Sequence, residues 1–270
     1  YITGGMALGA PIGGFGSVIL LHHLQPANLL FVSIGLLIAS NYIALIIWKT
    51  GIAPKRSATI ATHPKQIPLM KLFKNPYLQA IFIAYIVASI CTAIEVYQLF
   101  YIASTTLKQE SLGKFMGKLF GYIGIAQLFI DFVLARILFK YVGVLNILLM
   151  LPILFILLGF GFLTYPILIF AAGMKFIDAG VSGTLGNIAT QILLLPLPEK
   201  IRMHSQSILT GIMGTSARMF GGVILIIFSF CYLPIRYCSI IILISAFIWL
   251  WQIIRIIKLY KNKAHEETFS

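Results

Sequence analysis

The chain has 270 residues, of which 60% are apolar and only 10% are charged, and its formal net charge is +13. A water-soluble domain of this length must cover itself with charged side chains, so the composition excludes a soluble fold. Nearly every basic residue lies in a connection or at a helix end, which indicates membrane orientation and argues against nucleic-acid binding. The sequence therefore predicts an all-α protein in a lipid bilayer.

Eight apolar runs are long enough to cross a hydrocarbon core of about 30 Å, which needs about 20 residues per helix. In chain order the predicted helices are 3–22, 27–48, 77–103, 113–139, 143–163, 166–195, 205–232 and 236–258. Proline, glycine or charged residues mark most of the breaks between them. Phosphate-loop, metal-helix and nucleophile-elbow motifs are absent, so we expect neither an enzyme nor a cofactor.

Along the chain, connections that contain many basic residues alternate with connections that contain few. One side collects Lys49, Lys55, Arg56, Lys65, Lys71, Lys74, Arg136, Lys140, Lys200, Arg202, Arg255, Lys258, Lys261 and Lys263, whereas the other has Lys108, Lys114 and Arg236. Because basic connections stay on the cytoplasmic side, the connection at 49–76 and the tail at 261–270 are predicted to be cytoplasmic. The expected location is the bacterial inner membrane.

The connection at 49–76 separates two helices, at 1–48, from six helices, at 77–260. Two plus six is what remains of a six-plus-six transporter when four helices precede the sequence. We therefore expect these to be helices 5–12 of 12. The first pair would complete an N-terminal half, and the other six would form the C-terminal half.

A few ionisable residues interrupt the apolar runs, namely Glu95, Lys118, Asp131, Lys175, Asp178 and Arg218. Each costs about 2.5–3.5 kcal/mol at the centre of a membrane helix, so each should face a partner or a water-filled cavity. At 100° per residue, Lys175, Asp178, Ser182, Gly186 and Thr190 share one face of the helix at 166–195. Tyr85, Ser89, Thr92 and Glu95 share a face of the helix at 77–103, with Tyr97 and Gln98 just beyond. The two stripes predict a shared cavity.

Less specific explanations stay open for some of these residues. Lys175 and Asp178 are three residues apart and could form a local ion pair that neutralises itself. Glu95 could be an acid near a helix end that reaches interfacial water. Gly180, Gly183 and Gly186 could mark either a broken helix at a binding site or close helix packing. For the glycines of the first helix, Gly4, Gly5, Gly9, Gly13, Gly14 and Gly16, we predict close packing.

Several motifs resemble one known family. They are the segments 175–178 and 191–202, the glycines Gly211, Gly221 and Gly222, the segment 75–78, the Tyr97-Gln98 pair, the aromatic and glycine pattern at 115–121, the basic pattern at 136–143, and Pro152. Together they resemble the ATP/ADP translocase family of obligate intracellular bacteria and plastids, which is related to the major facilitator superfamily. The Leu-Pro-Leu-Pro element that follows the helix with Lys175 and Asp178 is its most specific part.

The resemblance implies a major-facilitator-like arrangement of twelve helices in two pseudo-symmetric halves, alternating access, and often exchange of ATP for ADP plus phosphate. This sequence departs from the family pattern where uncharged Gly186, Asn187, Thr190, Gln191, Thr210 and Gly214 stand at places that usually carry charge. The lysine expected near Tyr97-Gln98 is also absent. A nucleotide carries three to four negative charges, so missing cations weaken the nucleotide assignment in particular.

The leading hypothesis is a secondary transporter that works by alternating access, with nucleotide exchange as the favoured activity. The residues predicted to bind the solute or couple its movement are Glu95, Tyr97, Gln98, Lys175, Asp178, Asn187, Gln191 and Arg218. One alternative is a major-facilitator-type transporter of another small metabolite. Another is a membrane module that no longer transports and serves as an anchor or sensor.

Overall fold

A computed structural model describes the backbone of residues 2–50 and 72–268. Within these ranges the chain forms eight helices and no strand. They are α1 (Ile2–Leu20), α2 (Leu29–Lys49), α3 (Pro76–Thr106), α4 (Gln109–Phe129 continuing through Ile130–Leu134 and Ala135–Tyr141), α5 (Val144–Thr164), α6 (Leu168–Lys175, Phe176–Gly186 and Asn187–Leu194), α7 (Glu199–Ser207, Ile208–Met213 and Gly214–Phe230) and α8 (Cys238–Thr268).

In the described part of the chain, seven helices are long and apolar enough to span a membrane. The remaining helix, α1, contributes a shorter apolar stretch at Leu8–Leu20. The predicted all-α membrane fold of about eight helices is thus confirmed. The helix bounds agree with the predicted runs to within a few residues, except that α7 begins earlier and α8 continues to Thr268 through the predicted tail. Most of the predicted connection at 49–76 lies outside the described residues.

Local sequence explains where α3 begins. The Asn75 side chain accepts a hydrogen bond from the backbone N–H of Tyr77 at 3.0 Å, and Pro76 occupies the first helical position. An asparagine cap satisfies an N–H group that has no partner within the helix, and proline is suited to the first turn because its φ is already helical. These three residues fix the start of the helix that carries one of the two polar stripes.

The helices α3 to α8 form a packed bundle. Helix α3 packs against α6, α7 and α8, while α5 packs against α6 and α8. The largest fully buried side chains include Tyr77, Phe82, Phe155 and Phe162, and the ring of Phe155 lies 5.8 Å from that of Trp249. By contrast, α2 buries none of its residues.

Helices α1 and α4 meet through glycines. A Cβ built on Gly14 would come within 3 Å of the backbone of Gly121 and Gly117, and one built on Gly124 would meet Pro11. The missing side chains allow the two backbones to approach closely. The predicted close packing in α1 is therefore observed at Gly14. It is not observed at Gly9, Gly13 and Gly16, where a Cβ would meet nothing within 4 Å.

Three of the helices contain π-helical segments, at Ile130–Leu134 in α4, Phe176–Gly186 in α6 and Ile208–Met213 in α7. In a π-helix the backbone hydrogen bonds skip one more residue than in an α-helix, and such segments are frequent at functional sites. The segment in α6 includes all three glycines for which a broken helix was one alternative. The helix is widened there and remains continuous.

Candidate functional site

A cavity of about 370 Å³ lies among the six helices α3 to α8. One part of its wall is apolar and includes Leu148, Leu151 and Trp249. The polar side chains on the wall are Tyr85, Ser89, Thr92, Gln127, Asp178, Ser182, Asn187, Thr190 and Arg218. A polar cavity among membrane-spanning helices is where ionisable residues can be accommodated.

The two predicted polar stripes meet in this cavity. Four residues of the α6 stripe line it at four-residue spacing, and they are Asp178, Ser182, Gly186 and Thr190. Helix α3 contributes Tyr85, Ser89 and Thr92. Because residues three or four apart share a face of a helix, the facing stripes follow directly from the sequence pattern. The predicted shared cavity is present.

Next to the cavity, three ionisable side chains form what we call the ion cluster: Glu95, Lys175 and Asp178. The ammonium Nζ of Lys175 donates to Glu95 Oε1 at 3.0 Å and to Asp178 Oδ2 at 3.2 Å. Asp178 Oδ1 accepts a further hydrogen bond from Thr92 at 2.8 Å. Lys175 and Asp178 therefore form the local ion pair that was one alternative. Both also bond to α3, Lys175 to Glu95 and Asp178 to Thr92.

The two acids of the ion cluster have different surroundings. Asp178 faces the cavity, its side chain is 17% exposed, and both of its oxygens accept hydrogen bonds. Glu95 is 0% exposed, and its Oε2 has no hydrogen-bond partner. The alternative in which Glu95 reaches interfacial water is therefore wrong, because the side chain is sealed between packed helices.

Arg218 supplies the cavity with a positive charge. Its Nε donates to the carbonyl oxygen of Gly214 at 3.1 Å, within α7. No carboxylate of the described residues lies within ion-pair distance of it. A guanidinium has five N–H donors in a fixed fork, so most of them are available to a bound group. Arg218 could thus bind a carboxylate or phosphate that enters the cavity.

Gln127 is a cavity residue that sequence reasoning did not identify. Its Nε2 donates to the carbonyl oxygen of Ala179 at 2.6 Å, inside the π-helical segment of α6. A hydrogen bond from a neighbouring helix can satisfy a carbonyl that a widened turn leaves without its usual partner. An amide in the apolar run of α4 was the available signal, but the sequence did not show which helix it would face.

The other predicted site residues are distributed over different surroundings. Asn187 lines the cavity and donates to the carbonyl of Gly183 at 2.6 Å. Gln98 is buried and donates to Ser239 of α8 at 2.9 Å, which links two helices outside the cavity wall. Tyr97 is half-buried and Gln191 is exposed, and neither lines the cavity. Asp178, Asn187 and Arg218 are thus the predicted residues that reach it.

Comparisons of this chain with protein-family models, with curated proteins and with solved structures give no match.

Proposed function

We propose that this multi-pass membrane protein is a secondary transporter and that the cavity among α3 to α8 is part of its solute site. The observation that carries the proposal is a polar cavity among membrane-spanning helices, lined by an arginine that forms no ion pair with any acid the structure describes. Its volume is within the range of small-molecule sites, which is about 300–1,000 Å³. Polar groups inside a membrane are costly, and a solute pathway is a common reason for them.

The close contact between α1 and α4 supports a division into two halves. Under the proposed arrangement α1 belongs to the N-terminal half and α4 to the C-terminal half, so their glycine contact would lie between the halves. Alternating access would then move one half relative to the other around the cavity. In the proposed orientation, the segment at 49–76 and the C-terminus face the cytoplasm.

We favour an anionic solute, and nucleotide exchange in particular. Arg218 can bind a phosphate through two parallel hydrogen bonds, while Asp178 is compensated by Lys175 and repels an anion less than a free carboxylate would. The resemblance to ATP/ADP translocases supports the same solute. One arginine does not balance the charge of a nucleotide, so this version requires further cations from the other half.

Uptake of labelled ATP tests the nucleotide version. Cells expressing the full-length protein should accumulate label, and a chase with unlabelled ADP should release it if transport is an exchange. Cells with an empty vector provide the background. Uptake at the background level, with the protein present in the membrane fraction, would contradict nucleotide transport; labelled metabolites of other charge would then be tested in the same cells.

Two substitutions test the cavity itself. Arg218→Gln should raise KM for the anion about tenfold or more, since a charge-assisted hydrogen bond contributes about 1.5–3 kcal/mol. Arg136→Gln, at an exposed arginine of α4 outside the cavity, is the matched control. Asp178→Asn should abolish transport and leave membrane insertion normal. Unchanged transport in Asp178→Asn would support a purely local ion pair.

A further inference from the structure

Glu95 has no role in the proposed solute site, yet its carboxyl group is buried with little compensation for a negative charge. With all three groups ionised, the ion cluster has two carboxylates and one ammonium, and so a net charge of −1. Thr92 and Lys175 give each oxygen of Asp178 one hydrogen bond, whereas Glu95 accepts a single hydrogen bond through Oε1. Its second oxygen, Oε2, is buried and has no partner. An ionised carboxylate in this position would be poorly compensated.

The groups around Glu95 offer little further compensation. Among the described residues, Lys175 and Asp178 of α6 are the charged groups that face it, and on its own helix the Cys91 thiol lies one turn away. Helix α8 faces Cys91 with the neutral Ser245. On α7, Arg218 lies on the cavity wall and donates to a carbonyl of its own helix. The excess negative charge therefore stays within the cluster.

We infer that Glu95 is the binding site for a transported proton, which bonds to Oε2. A hydronium ion in the cavity gives up the proton to Asp178 and is left as water, and Asp178 passes the proton to Glu95, whose Oε2 lone pair forms the new O–H bond. Oε1 continues to accept from Lys175, so the cluster becomes neutral without rearrangement. A neutral carboxylic acid without a partner costs far less in an apolar interior than an unpaired charge.

The exposed edge of the cluster links this proton to the cavity. Asp178 lies on the cavity wall and shares the Lys175 ammonium with Glu95, which does not reach the cavity. An anion bound in the cavity would disfavour a net negative cluster and so favour the protonated Glu95. Because such coupling is reciprocal, the proton would also favour binding of the anion. Proton and anion would then move in the same direction.

The coupling rests on the proposed function, whereas the proton site itself does not. If ATP is exchanged for ADP, ATP carries the larger negative charge, and a proton that accompanies it would reduce the charge moved across the membrane. The structure thus assigns Glu95 a role distinct from that of Arg218, which binds the solute. Glu95 would adjust the charge of the loaded carrier.

Infrared difference spectroscopy of the full-length protein in lipid nanodiscs tests the proton site without any transport. At neutral pH the wild type should show the C=O stretch of a protonated carboxylic acid, and this band should titrate away as the pH rises. Glu95→Gln should lose the band. Glu199→Gln, at an exposed acid that begins α7, should retain it. A spectrum with no such band, or a band that persists in Glu95→Gln, would overturn the inference.

Asp178→Asn decides the question even if Glu95→Gln does not fold. Removing one of the two carboxylates leaves the ionised Glu95 balanced by Lys175, so the band should remain but titrate at a pH lower by about one unit or more. A band that stays absent from Asp178→Asn when the pH is lowered to about 5 would place the proton on Asp178 instead. If the band titrates at the same pH in Asp178→Asn as in the wild type, the charge of Asp178 does not affect the protonation of Glu95, and the inference fails.

A transport measurement tests the coupling separately. With ATP as the probe, a pH gradient that is acidic outside should accelerate uptake by the wild type and leave uptake by Glu95→Gln unaffected. If the rate of uptake by the wild type is the same with and without the pH gradient, the proposed coupling is wrong. If ATP is not transported at all, the proposed nucleotide function fails, and the infrared result still decides whether Glu95 holds a proton.

Discussion

Replacing Lys175 by methionine removes the cation that the buried Glu95 and the partly buried Asp178 share. Methionine has a similar length, so the substitution changes charge more than shape. With an effective dielectric constant of about 20, the distances of 3.0 and 3.2 Å correspond to a Coulomb attraction of about 5 kcal/mol for each ionised carboxylate. Desolvation of the three groups offsets part of this attraction. Breaking a buried pair on one side typically costs about 3–5 kcal/mol, and we expect Lys175→Met to fall in that range.

The assay is reversible unfolding in mixed micelles, with the detergent composition as denaturant and helical circular dichroism as the signal. Lys118→Met is the matched control, because Lys118 is exposed on α4 and should change the free energy of unfolding by less than about 0.5 kcal/mol. The double variant Lys175→Met/Asp178→Asn should recover at least about 1.5 kcal/mol, since it removes one of the two carboxylates that lose the ammonium. If Lys175→Met resembles the control, or if the second substitution adds to the loss, the ion cluster does not stabilise the fold as described.

Two further predictions concern the helix contacts. Gly14→Ala should destabilise the α1–α4 contact by about 1–3 kcal/mol, because the added methyl group meets backbone that cannot move aside. Gly16→Ala, where a methyl group meets nothing within 4 Å, should be neutral or stabilising in the same unfolding assay; equal losses in both variants would contradict the close approach. Gln127→Leu should leave the Ala179 carbonyl without its partner, at a cost of about 1–3 kcal/mol, and accelerate amide hydrogen exchange in the π-helical segment of α6. Asn41→Leu, at an exposed amide of α2, is the control for that exchange experiment.

The helices could be predicted from the sequence because membrane spans are signalled locally. A run of about 20 apolar residues is sufficient evidence for a span, and proline, glycine and charge mark its ends. The Asn75-Pro76 pair even specifies the first turn of α3. Helical periodicity also placed Asp178 and Thr190 on one face, and both line the cavity.

Contacts between distant helices could not be predicted in the same way. Glu95 and Lys175 are 80 residues apart in sequence, and only the packing of α3 against α6 brings them together. Periodicity assigned Glu95 to a polar stripe but not to a sealed position. The π-helical segments were also missed, because a widened turn depends on partners such as Gln127 that belong to another helix. Gln191 shows the opposite error, since its side chain is polar but does not face the cavity.

The glycine contact between α1 and α4 has a mechanical consequence. Side chains that interlock must change rotamer when two helices turn against each other, and each change adds a barrier. Backbone meets backbone at Gly14, but at Gly117 and Gly121 the side chains of Val18 and Phe15 occupy the space that the glycines leave. The Phe15 ring also packs edge-on against Tyr122 of α4, so turning α1 against α4 would require side chains such as Phe15 to change rotamer. The ion cluster, whose bonds are directional, would likewise hold α3 and α6 in register. Movement between the proposed halves would then have to overcome the packing of α1 into the glycine notches of α4.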